Sequence, residues 1–97
     1  MKNLFALISS MEEKPGMYLS KYSIFSVKSY IDGWLLAKGF EDDGHLAMQA
    51  FQEFIVDRYK LSPSISWDKI INLYSHSESD ALNKFFRHFK EFIPTFN

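Results

Sequence analysis

Apolar residues recur at spacings of three and four along almost the whole chain, while strict two-residue alternation is scarce. That period predicts helices throughout and no sheet. Between Asn3 and about Glu13, Leu4, Leu7, Ile8 and Met11 fall on one helical face. Pro15-Gly16 then breaks the pattern, because proline lacks an N–H and fixes φ while glycine tolerates a positive φ. A second helix is predicted from about Ser23 to Lys38, with Ile24, Val27, Ile31, Trp34 and Leu35 inward and Gly39 as its stop. Gly33 inside it weakens the helix by about 1 kcal/mol relative to alanine, which points to close approach by a neighbouring element.

Glu41-Asp42-Asp43-Gly44 reads as a connecting loop, followed by a helix from about His45 to Lys60 whose stripe is Ala47, Ala50, Phe51, Phe54, Ile55 and Tyr59. Leu61-Ser62-Pro63-Ser64 interrupts again, and Ser66 is placed to cap a short helix carrying Trp67, Ile70, Ile71 and Tyr74. Ser77-Glu78-Ser79-Asp80 has the form of a capping box. The last helix is expected from about Glu78 to Ile93, with Leu82, Phe85, Phe86, Phe89, Phe92 and Ile93 inward and Pro94 as its stop. The expected fold is therefore all-α, one domain spanning residues 1–97, with five helices joined by short loops.

Composition supplies the filler for such a core: ten Phe, five Tyr and two Trp among 97 residues. Most of these rings are expected inside, with any surplus left for a contact surface. The absence of cysteine removes disulfides, thiolate catalysis and cysteine-based zinc sites, and fits a reducing compartment. The opening residues only faintly mimic a signal peptide, being too short and followed by Glu12 and Glu13, and no run approaches the length of a membrane span. A cytoplasmic location is the resulting expectation.

Catalytic patterns are not found. There is no G-x-S-x-G elbow, and the glycines at 16, 33, 39 and 44 form no phosphate-binding motif. His45 beside Asp42 and Asp43 lacks a second nearby histidine and reads as a polar residue of a first helical turn rather than a metal corner. His76 and His88 are expected at a helix end and on a solvated face. No catalytic residue, cofactor or metal is predicted.

Charge order is more informative than the net charge of -1. From Gly39 to Asp57 there is no Lys or Arg, whereas Glu41, Asp42, Asp43, Glu53 and Asp57 all fall there. Such a stretch is either a solvated face or a docking surface for a basic protein. Lys84, Arg87 and Lys90 balance it on the polar side of the last helix but form no DNA-recognition element, so direct nucleic-acid binding is not expected.

Lys14-Pro15-Gly16-Met17-Tyr18-Leu19, Tyr30-Ile31-Asp32-Gly33-Trp34, Phe51-x-x-Phe54-Ile55-x-x-Arg58-Tyr59, Ser66-Trp67-x-x-Ile70-Ile71 and Phe85-Phe86-x-x-Phe89 occur in that order. This arrangement resembles small bacterial immunity proteins of polymorphic-toxin and contact-dependent growth inhibition systems, over roughly residues 10–93. It departs from them at Ser20, where glycine is usual. Pro-Gly-Met-Tyr also resembles a stretch of type II topoisomerase ATPase subunits, but the nucleotide-binding motifs of those proteins have no counterpart here. The immunity resemblance implies a monomer that binds one cognate toxin, commonly a nuclease, with RNases favoured, and blocks its active site. The five acids are the expected toxin contacts, Pro15, Gly16, Trp67 and the Phe positions the fold determinants. Tyr18 caps the core or exposes its hydroxyl. Two other classes remain open: a helical adaptor or regulator that binds an intracellular peptide in an exposed groove, and an enzyme, which would need a pocket joining His45 or His88 to carboxylates from another helix.

Overall fold

The computed structural model describes residues 2–96. Five α-helices, α1 (Lys2–Glu13), α2 (Ile24–Lys38), α3 (Gly44–Tyr59), α4 (Trp67–Leu73) and α5 (Glu78–Phe96), follow one another, with a single 3-10 turn at Pro15–Met17. No strand occurs among the described residues, and no helix there is long and apolar enough to cross a membrane. The all-α reading is thus the observed architecture.

The helix ends follow local chemistry. Ser23 stands at the N-cap of α2 and its hydroxyl accepts from the Phe25 N–H at 3.1 Å. Gly39 ends α2 at φ +92°, ψ 163°, a backbone region essentially reserved for glycine. Half of the capping box before α5 forms: the Ser77 hydroxyl accepts from the Asp80 N–H at 3.0 Å, while the Asp80 carboxylate accepts, also at 3.0 Å, from the N–H of His76, one residue before the cap, rather than from that of Ser77.

Several expectations are corrected. Gly16 is not left-handed; the break is a 3-10 turn, in which proline at the first position matters more than glycine's freedom. Gly33 faces solvent, and a β-carbon there would meet nothing within 4 Å, so no neighbour approaches it inside the molecule. The close approach occurs at Gly44, where a β-carbon would lie 2.6 Å from Leu35 Cδ2. Ser66 makes no capping bond. Gln52 acts in its place, accepting from the Trp67 N–H and donating to the Ile65 carbonyl, both at 2.7 Å, so α3 itself holds the start of α4. Tyr74 is exposed at the end of α4 rather than inward. Finally, α5 runs through Pro94 to Phe96. A proline so close to a helix end forfeits one backbone bond, and Phe96 packs on Phe92 with ring centroids 5.5 Å apart.

One buried cluster draws residues from all five helices. Its hub is Phe51 of α3, whose ring centroid lies 5.2–5.6 Å from those of Trp67, Phe85, Phe89 and Phe92. Trp67 and Phe85 stack at 4.9 Å. These rings fill the space where α3, α4 and α5 meet, and α1 joins through buried Leu4, Ile8 and Met11 and the edge-to-face pair Phe5–Phe89.

Candidate functional site

The acidic stretch maps to one corner and one edge of the bundle. Glu41, Asp42 and Asp43 lie in the loop between α2 and α3, with Asp43 at the N-cap of α3, although its side chain makes no capping bond. Glu53 and Asp57 continue along α3. Counting from Leu46, positions 53 and 57 lie seven and eleven residues on, which at 100° per residue places all three within about 20° of one line down the helix. Leu46, Gln49, Glu53 and Asp57 are all exposed, so this line is the solvent-facing ridge of α3. From Gly44 to Asp57 the ridge extends about 20 Å.

The five acids have different local reasons to be there. Negative charge in the 41–43 loop is favourable beside the N-terminus of α3, where unpaired N–H groups carry partial positive charge. Asp57 lies in the last turn, where the same dipole opposes it; Lys60 offsets this with an exposed pair at 3.4 Å. Glu41, Asp42, Asp43 and Glu53 have no lysine or arginine within ion-pair distance among the described residues. Helix stability accounts for the loop acids but not for carrying the charge along to Glu53 and Asp57.

Three apolar side chains stand in or beside this corner, and sequence reasoning missed them as surface features. Leu36 on the outer side of α2, Phe40 in the loop and Leu46 in the first turns of α3 are 75%, 92% and 62% exposed. Of the ten phenylalanines, Phe40 alone is exposed. The loop beneath it is braced. The Gly39 carbonyl accepts from the Asp42 N–H at 3.2 Å and from His45 Nε2 at 2.9 Å, which assigns the Nε2 proton to that imidazole. The Phe40 and His45 rings lie 6.3 Å apart. Behind the loop, half-buried Trp34 carries the Lys38 ammonium 5.0 Å above its ring.

His88 corrects a further expectation: it is 3% exposed, on the inner arc of α5 rather than a solvated face. Its Nδ1 lies 3.1 Å from Glu91 Oε1 and its Nε2 2.7 Å from the Tyr59 hydroxyl, while Arg58 reaches the same Glu91 oxygen at 3.1 Å. A carboxylate only accepts, so Nδ1 carries the proton and Tyr59 donates to Nε2. Burial holds the His88 pKa below its ordinary value, opposed by the Glu91 bond, and burial raises that of Tyr59. The order Tyr–His–Glu copies a nucleophile, base and orienting carboxylate, but the phenol is made harder to ionise, the reverse of activation. These side chains tie α3 to α5. His45 and His76 lie elsewhere, and no group of three or more histidine, aspartate and glutamate side chains able to hold a metal ion occurs among the described residues.

A separate cleft of about 540 Å³ lies beside the Pro15 turn, lined by Tyr18, Ser20, Lys21, Ser26, Tyr30 and Glu78 among others. Tyr18 packs on the core and meets Tyr30 edge-to-face at 5.9 Å. Glu78 accepts from the Ser23 hydroxyl and pairs with Lys21 at 3.3 Å, and these bonds, the Ser23 bond foremost, lower its pKa.

No family model, curated protein or solved structure matches the chain.

Proposed function

We propose that this chain is an immunity protein that binds a cognate bacterial toxin, a nuclease with RNases favoured, and blocks its active site or substrate path. The observation that carries the reading is the α2–α3 corner and α3 ridge, where four of five carboxylates have no lysine or arginine within ion-pair distance among the described residues. A nuclease must attract a polyanion and so presents positive charge around its catalytic groups. An acidic edge about 20 Å long fits within a standard interface of about 800 Å² per partner. The binding unit on this reading is one copy of the chain with one toxin domain, in the cytoplasm, without cofactor, metal or catalytic group of its own.

The test is co-expression with the toxin-like domain encoded by the adjoining reading frame. Growth should be rescued, and reversing Asp42 and Asp43 to lysine should slow association about 10-fold and flatten its salt dependence while helix content stays unchanged. If no toxin is encoded nearby and no inhibited cell is rescued, the proposal fails. The cleft beside Tyr18 and Tyr30 favours a second reading, a helical adaptor that holds a peptide. Under that reading Tyr30→Ala would abolish partner binding and the charge reversal would not.

A further inference from the structure

We infer that Phe40 is an aromatic plug, inserted into an apolar pocket whose mouth carries lysine or arginine. This inference rests on the reading of the acidic edge as a docking surface. A small domain that buries or half-buries nine of its ten phenylalanines leaves this one 92% exposed. Exposed Leu36 and Leu46 flank it in sequence, and Glu41 and Asp43 stand within three residues on its C-terminal side. An apolar centre with a charged surround is the anatomy of an energetically concentrated contact, in which one aromatic ring is desolvated and neighbouring groups exclude water.

The ring sits on a rigid base. Gly39 holds a conformation other residues avoid, its carbonyl is bonded twice, by the Asp42 N–H and His45 Nε2, and Gly44 lets Leu35 pack directly against the start of α3. A plug fixed in advance loses little conformational freedom on docking. Charge selects the occupant. Two copies meeting through this corner about a two-fold axis would bring Glu41, Asp42 and Asp43 against the same residues of the other copy, which repels. A basic-rimmed pocket meets complementary charge instead.

The experiment places the photo-crosslinker p-benzoylphenylalanine at position 40, with position 73 as control because Leu73 is similarly exposed on α4. The full chain is irradiated in the cells that make it, and the adduct is identified by mass spectrometry. Position 40 is expected to capture one basic protein that position 73 does not. Once that protein is purified, Phe40→Ala should bind at least about 30-fold more weakly than wild type, Phe40→Leu should recover most of the loss, and both variants should melt as wild type does. The inference is overturned if position 40 gives no adduct, links two copies of this chain, or gives the same adduct as position 73. It is equally overturned if Phe40→Ala binds the purified protein within about threefold of wild type. A captured basic protein without toxicity would leave the plug standing and remove the immunity reading; a toxin indifferent to Phe40 would do the opposite.

Discussion

Gly33→Ala should stabilise this protein, and the structure gives both sign and size. Gly33 sits well inside the 15-residue α2, its φ is not positive, its position is exposed, and an added β-carbon meets nothing within 4 Å. No steric term therefore opposes the intrinsic preference of alanine for a helix, about 0.8–1.0 kcal/mol over glycine. For a domain of this length that corresponds to a rise of about 4–8 °C in melting temperature. Gly39→Ala is the internal contrast. At φ +92° a side chain is strained whatever space surrounds it, and the same substitution should cost about 1–3 kcal/mol. Circular dichroism at 222 nm, followed through thermal and urea denaturation, measures both variants. A Gly33→Ala protein less stable than wild type would refute the reasoning, because it would require a contact at that position that the structure does not contain.

Phe51→Ala should cost about 3–5 kcal/mol in urea denaturation, since five aromatic neighbours lose their common partner. Gln52→Ala should cost about 1–3 kcal/mol, because the Trp67 N–H and Ile65 carbonyl both lose a bond. The His88 pKa lies below 6.5 in the folded state. Its contribution is complete above pH 6.5, shrinks as pH falls from 6.5 towards the folded value because the unfolded chain takes up the proton first, and is gone below it. His88→Gln should flatten the stability profile between pH 7 and pH 5, and a slope equal to wild type would contradict that assignment.

The helices were legible because their signals are local and repeated. Ser23 and Gly39 bracket α2, and Phe85, Phe89 and Phe92 recur at the helical period. The misses have physical causes. His88 lies three residues after Phe85 and four before Phe92, squarely on the apolar arc; judging it by its polar type rather than its angle assigned it to solvent. Gln52 reaches across from α3 to α4, a contact no spacing rule anticipates. The five acids were readable from charge order, but the apolar residues beside them were not. A phenylalanine in a loop carries no periodic signal, so only the folded backbone shows that Phe40 has no core to enter.

The two tryptophans give the molecule separate optical channels. Trp67, stacked on Phe85 in the core, keeps a dry environment until the bundle opens, so its emission reports unfolding. Trp34 is half-exposed, lies under the Lys38 ammonium, and brings Cζ3 to 3.7 Å from the space a Gly44 side chain would fill. It therefore senses the polarity of the α2–α3 corner from beneath. A Trp34→Phe variant removes that signal and leaves the core signal in place, so complex formation at the corner and loss of the fold can be followed in one cuvette without any attached dye.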